Sequence, residues 1–355
     1  MLKIRRFTCE NMAEGCVTDN CTPSFAFSVD SDRQGAYIKK AVISVGDWSV
    51  TTVEQTGVPY GGMELKPFGT YTAKLKVWDD ADETAEAELT FETGRMSEPW
   101  HAEWITDGEY HFTEKKVSPV PMTFRKKFNL DKNVKSARVY ATAIGIYELA
   151  LNGSKVGDEF FAPGFTSYKS RLQYQTYDVT KALRENNELL VTVAGGWAVG
   201  SFIYTRKNRI TADRQALLLE VRIQYEDGTI QIIKTDSDWD VTMRGSYRAA
   251  DFYDGETYDA TVRLNDIDYH KAVIEKVNIH PIISAACGAP VRAHEKMLPV
   301  SCNLTKEGFV YDFGQNFAGV VQLKLKGKRG QKVTVHHAEI LKPDGTLNTA
   351  FLRTA

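Results

Sequence analysis

Apolar and polar residues alternate with a period of two along short stretches of this chain, and the stretches end at turn residues. Tyr71, Ala73, Leu75 and Val77 alternate with Thr72, Lys74 and Lys76. Leu219, Val221, Ile223 and Tyr225 alternate with Glu220, Arg222 and Gln224, then meet Asp227-Gly228 and a second apolar run at 230–233. Val321, Leu323 and Leu325 alternate with Gln322 and Lys324 ahead of Gly327 and Gly330. Successive side chains of a strand point to opposite faces, so each stretch reads as a strand with one buried face. No stretch sustains the 3.6-residue period of an amphipathic helix. One short helix is expected around Val179–Arg184, with Asp178 or Thr180 capping its first turn. Many short strands with Gly, Asp and Asn turns predict an all-β chain of tandem sandwiches.

At 355 residues the chain has room for two or three domains, and 43% hydrophobic content supplies their cores. A net charge of −2 with mixed signs excludes the basic face that nucleic acid or an anionic membrane would require. The basic start at Lys3, Arg5 and Arg6 is followed by polar residues, so a signal peptide is not expected, and no apolar run approaches the ~18 residues of a membrane span. The five cysteines form no C-x-x-C pair and are read as reduced thiols of a cytoplasmic protein. On that reading the sequons at Asn20, Asn152 and Asn303 carry no sugar.

Three blocks follow from composition and turn placement: residues 1–97, 98–288 and 289–355. The densest information lies in the middle block. A strand ending in Leu151-Asn152-Gly153 is followed by Gly157-Asp158, by APGFTSY at 162–168 and by YQTYDVT at 174–180. Then come Ala194-Gly195-Gly196-Trp197 and, later, DFYDGETYDA at 251–260. Asn152, Asp158, Asp254 and Glu256 could hydrogen-bond sugar hydroxyls, and Tyr168, Tyr174, Trp197, Tyr204 and Tyr253 could stack on a pyranose ring. The competing reading makes Asn152-Gly153 and Gly157-Asp158 hairpin turns and places the aromatics in the core. His336-His337 and His294-Glu295 lack the spacing of a metal motif, and no nucleophile elbow, P-loop or dinucleotide fingerprint occurs. No metal site or cofactor is expected.

These motifs, with DFGQNFAG at 312–319, His337-Ala338-Glu339, PDGT at 343–346 and LRTA at 352–355, resemble those of bacterial α-L-rhamnosidases. The resemblance implies a fibronectin-III-like sandwich over 1–97, a jelly-roll or galactose-binding-like domain over 98–288, and the opening of a concanavalin-like sandwich over 289–355. It implies inverting hydrolysis of terminal α-L-rhamnosyl groups by two acidic residues on an (α/α)6 barrel, with carboxyls about 6.5–9.5 Å apart. The chain has no run of amphipathic helices for such a barrel, so no residue in it is expected to be catalytic. The partners implied are a rhamnosylated glycan or plant glycoside and the enzyme's own catalytic domain. The alternative is an independent rhamnose-binding module. In some members this domain holds calcium beside the sugar, but where the family commonly has GDGW this chain has Gly195 in place of the acid. A calcium ion takes about six to eight oxygen ligands, so that replacement argues against one here.

In the third block, strands at 320–326 and 331–337 are expected to pair and to leave an apolar face uncovered. Such a block is expected to lean on the middle domain or to pair with a second copy of the chain as a homo-oligomer.

Overall fold

The computed structural model describes residues 1–108, 118–201 and 207–352 of the chain. The first module is a sandwich of two sheets. One has three strands, Leu2–Cys9, Ser24–Ser31 and Val58–Pro59. The other has five, in the order Cys16–Thr18, Thr84–Thr93, Thr70–Asp79, Ile38–Val45 and Trp48–Thr52. The alternation read from the sequence is realised: Ala73, Leu75 and Val77 are buried, while Thr72 and Lys74 face solvent. On the outer face Lys74 pairs with Glu88 at 3.0 Å and Lys76 with Glu86 at 2.6 Å, across the Thr70–Asp79 and Thr84–Thr93 ladder. Phe25, Ile43, Leu65, Leu75 and Phe91 fill the space between the sheets. Each such buried side chain contributes roughly 1.5–3 kcal/mol relative to exposure.

The second module is a larger sandwich. Its six-stranded sheet runs Ser154–Val156, Ile146–Leu151, Asn186–Ala194, Met122–Asn129, Asp240–Thr242 and His270–Lys271. The facing seven-stranded sheet centres on Ala216–Tyr225 and Val134–Ile144, with Arg171–Asp178 beyond them. Ile282–Ala285 closes that edge in parallel to Arg171–Asp178. Met122, Phe124, Val139, Val191, Leu219 and Trp239 form the core between the sheets.

The segment 179–184 is one turn and not the expected helix. The amides of Ala182 and Leu183 both donate to the Val179 carbonyl at 3.0 and 3.2 Å, and Asp178 Oδ1 accepts from the Thr180 amide at 2.9 Å. Asn187 then clamps Arg184, accepting from its amide at 2.8 Å and donating to its carbonyl at 2.6 Å, and so ends the turn before a second can form. Among the described residues the one α-helix is Gly196–Val199.

In the third block Ser301–Thr305 and Gly308–Asp312 form a hairpin. The strands expected at 320–326 and 331–337 are not formed there; those residues join no ladder. Two strands with an uncovered apolar face are marginal in water, and here Val321, Leu323, Leu325, Val333 and Val335 stand between 46% and 58% exposed. The block does touch the middle module: Phe160 N donates to the Val291 carbonyl at 2.8 Å, and Arg292 Nε to Asp158 Oδ1 at 2.7 Å.

The first and second modules meet through a buried polar seam. Arg95 is 3% exposed, pairs with Glu220 and lies 4.1 Å over the Trp100 ring. Glu220 Oε1 also accepts from the His101 amide, and from the Ala102 amide at 2.9 Å. Beside it, Tyr174 donates its hydroxyl hydrogen to Asp19 Oδ1 at 2.6 Å and accepts from the Arg95 amide at 2.8 Å. Asp19 further accepts from the Met96 amide at 2.7 Å and the Ala285 amide at 2.7 Å. Burial, and then the Asp19 carboxylate, push the Tyr174 hydroxyl well above the usual phenol range. Gly94 is required at this seam: a Cβ there would lie 2.1 Å from the Tyr174 hydroxyl oxygen.

A candidate carbohydrate-binding surface

Where the Asn186–Ala194 strand ends, the backbone turns through Gly195 and Gly196 into the Gly196–Val199 helix and presents the Trp197 ring. Gly196 has φ +51°, the left-handed region that favours glycine. A Cβ on Gly195 would lie 2.7 Å from the Gly200 amide nitrogen and 2.8 Å from Pro119 Cγ. With the backbone returning this closely at Gly200, an aspartate at this position would force its neighbours to shift.

Trp197 gathers three other rings. Phe252 is 4.6 Å away at an interplanar angle of 33°, Phe165 5.7 Å and Phe161 6.0 Å. Phe165 is 61% and Phe252 38% exposed, so the cluster offers flat apolar faces to solvent, as stacking on a sugar ring requires. A polar network adjoins it. Asp251 Oδ2 accepts from the Ser201 amide at 2.7 Å, and its Oδ1 accepts from the Tyr253 amide at 2.7 Å, which fixes the turn carrying Phe252. Asp254 Oδ2 accepts from the hydroxyls of Ser118 at 2.8 Å and Ser201 at 3.0 Å.

Of the residues singled out from the sequence, the structure thus brings Trp197 and Asp254 to one place. Tyr253 belongs to the same turn through its amide, and the Tyr168 ring lies 6.0 Å from that of Phe165, on the inner side of the cluster. Asn152 sits in a hairpin turn with φ +53°, its amide donating to the Ala182 carbonyl at 2.9 Å and to Asn187 Oδ1 at 3.0 Å while Oδ1 accepts from Glu188 N at 3.0 Å. Asp158 is paired with Arg292 at the join to the third block. Tyr168 is 3% exposed and donates to the Gly164 carbonyl at 2.8 Å, so its ring belongs to the core. Tyr174 belongs to the module seam, and Tyr204 lies outside the described residues. Glu256 stands opposite Ala250 in a two-stranded ladder; the residue is exposed, and its carboxyl is raised above the ordinary range first by partial desolvation and then by the neighbouring Glu148 carboxylate. Phe161, Phe165, Phe252, Asp251, Ser118 and Ser201 were not singled out by sequence reasoning. Asp251 and Phe252 lie inside the DFYDG segment, but a search for tyrosine and tryptophan platforms passes over phenylalanine.

Among the described residues no three or more His, Cys, Asp or Glu side chains cluster so as to hold a metal ion. No helix of the described residues is long and apolar enough to cross a membrane.

Comparison with known proteins places these features in a family. Residues 4–97 match the family described as Rha78A-like, N-terminal immunoglobulin domain. Residues 132–300 match the alpha-L-rhamnosidase N-terminal domain, and residues 303–355 the bacterial alpha-L-rhamnosidase concanavalin-like domain. The chain is 38% identical over 264 residues to an α-L-rhamnosidase of Streptomyces avermitilis, covering 68% of this chain and 24% of that protein. It is 30% identical over 304 residues to an α-L-rhamnosidase of Alteromonas sp., covering 80% of this chain and 33% of that protein. The crystal structure of native α-L-rhamnosidase from Aspergillus terreus superposes with a TM-score of 0.87 at 27% identity, over 100% of this chain and 43% of that one. The chain therefore spans about a quarter to a third of the length of these two curated relatives. In sequence and in fold, it belongs to the α-L-rhamnosidase family, matching that family's N-terminal immunoglobulin, N-terminal and concanavalin-like domains.

Proposed function

We propose that this chain serves an enzyme that hydrolyses terminal α-L-rhamnosyl groups of glycans or plant glycosides with inversion, and that its modules pack on and shape the catalytic domain. The observation that carries this reading is the apolar row Val321, Leu323, Leu325, Val333 and Val335, 46–58% exposed in residues that match the concanavalin-like domain. Uncovered apolar rows of this kind mark surfaces that a partner buries. The rigid seam around Arg95 and Asp19 supports the same role, since it holds the first two modules in one orientation.

The reading as an independent rhamnose-binding module has the Trp197 ring cluster in its favour. Against it, Asn152, Asp158 and Tyr168 are already engaged by the fold, and Gly195 offers no carboxylate for calcium. Homo-oligomerisation through the apolar row is the competing way to cover it. The five cysteines are free thiols, as a reducing compartment, the cytoplasm, would keep them.

The test compares residues 1–355 with residues 1–288. Purified 1–355 is expected to hydrolyse an aryl α-L-rhamnoside at the background rate and to show no heat on titration with L-rhamnose, with or without calcium. Light scattering should show association for 1–355 only. Turnover that survives repurification would overturn the reading and return attention to Asp254 and Glu256 as an acid pair.

A further inference from the structure

A groove of about 480 Å³ lies on the outer face of the six-stranded sheet. The two-residue period of the Met122–Asn129 strand builds its floor: Phe124 and Phe128 are buried in the core, so Arg125, Lys127 and Asn129 point the other way. The ladder sets Asn129 opposite Asn186 and Lys127 opposite Glu188, and Asn265 lines the groove beside them. Trp197 lies beyond the far end of the Asn186–Ala194 strand. At about 3.3 Å per residue that strand separates Asn186 from Ala194 by roughly 26 Å, so the groove is distinct from the ring cluster.

Each charged side chain of this lining has a partner of opposite sign. Lys127 Nζ lies 3.6 Å from Glu188 Oε1, and Arg125 Nη2 lies 3.2 Å from Asp240 Oδ2. The Arg125 guanidinium also lies 3.7 Å over the Tyr269 ring, which fixes its plane. An ion entering the groove would have to compete with these pairs, whereas a neutral ligand leaves them intact. The groups left unengaged are amides. Asn129, Asn186 and Asn265 are exposed, and their side chains make no hydrogen bond among the described residues. Asn152 and Asn187, bonded to each other at 3.0 Å, brace the end of the groove. A side-chain amide offers two donors and an acceptor, the complement of a sugar hydroxyl, which both donates and accepts.

We propose that this groove binds a neutral oligosaccharide along its hydroxyls, as a second carbohydrate surface apart from the Trp197 rings. Asn129, Asn186 and Asn265 bond hydroxyls of successive sugar units, and Arg125, already oriented by Tyr269 and Asp240, donates from Nη1. Single neutral hydrogen bonds are weak in water, so the groove requires a chain of several units and does not hold a lone monosaccharide such as L-rhamnose. The saccharide half of the proposal rests on the glycosidase reading; the neutrality of the ligand rests on the groove alone.

The test is titration of the isotope-labelled full chain with a neutral rhamnosyl tetrasaccharide, cellotetraose and a tetragalacturonate, read by calorimetry and by the side-chain amide signals in NMR spectra. The rhamnosyl tetrasaccharide is expected to move the Asn129 and Asn186 side-chain signals. Its affinity should hold within about twofold between roughly 0.05 and 0.5 M salt, since no charge is exchanged. Combining Asn129→Ala with Asn186→Ala should weaken binding about tenfold, and both residues are exposed, so the fold is kept. Three results would overturn the groove: no binding of either neutral tetrasaccharide, tighter and salt-sensitive binding of the tetragalacturonate, or binding that Trp197→Ala abolishes and the asparagine variant spares. Cellotetraose binding through the asparagines as tightly as the rhamnosyl chain would uphold the groove and count against the rhamnoside reading.

Discussion

Arg95→Ala removes the cation from the seam between the first two modules. Glu220, 2% exposed, would then keep only the His101 and Ala102 amides as donors. Breaking a buried ion pair by deleting one partner costs about 3–5 kcal/mol, because the remaining charge stays desolvated. For a domain of this size each kcal/mol lowers the melting temperature by about 2–4 °C, so a fall of roughly 6–20 °C is expected. The assay is thermal and urea unfolding followed by circular dichroism, on the parent, Arg95→Ala, and Arg95→Met combined with Glu220→Gln. The double variant removes both charges and keeps most of the volume, and it should recover the greater part of the loss. A loss under about 1 kcal/mol for Arg95→Ala, or a double variant no better than the single, would refute the argument that charge burial organises this seam.

Asn152→Ala should cost about 2 kcal/mol in urea unfolding, since it strips the hairpin turn of its side-chain bonds to Ala182, Asn187 and Glu188. Gly195→Asp should lower stability by about 1–3 kcal/mol through its approach to the Gly200 backbone, and added calcium should not restore the melting temperature. Glu256→Gln tests the raised carboxyl. A carboxyl whose folded pKa lies above its unfolded value binds its proton more readily when folded, so its charged form weakens the fold above that pKa and the penalty fades as pH falls through it. Because Glu256 is exposed and solvent screens the repulsion, the gain should be only a few tenths of a kcal/mol at neutral pH (~0.3) and nothing near pH ~3, read from urea midpoints; equal gains at both would count against Glu148 repulsion.

The sheets were legible because a strand buried on one face writes itself as alternation, and Ala73, Leu75 and Val77 bear this out. Glu220 shows where that code fails. It occupies an outward position on the Ala216–Tyr225 strand, yet a neighbouring module covers that face, and sequence periodicity cannot see a layer contributed from outside the strand's own sandwich. The turn at 179–184 has helical hydrogen bonds and helical capping residues; Asn187, reaching back to Arg184, stops it. At 320–326 and 331–337 the alternation is present but the covering layer is not, and local pattern alone does not make a ladder. For the candidate surface, Trp197 and Asp254 were legible by residue type. Tyr168 was not, because an aromatic that stacks and one that fills a core look alike in sequence, and only its 3% exposure separates them.

The Asp19 carboxylate receives donors from Met96, Tyr174 and Ala285, three points far apart along the chain. This bears on transplanting domains between relatives. A chimera that exchanged residues 1–97 for another immunoglobulin-type unit would need to bring its own acceptor to that spot. Without one, the Tyr174 hydroxyl, whose ring packs against those of Trp100 and Tyr140, and the Ala285 amide would have nothing to accept their hydrogens. The unit at the front of this chain is thus a keyed part, and its key lies in residues on both sides of the cut.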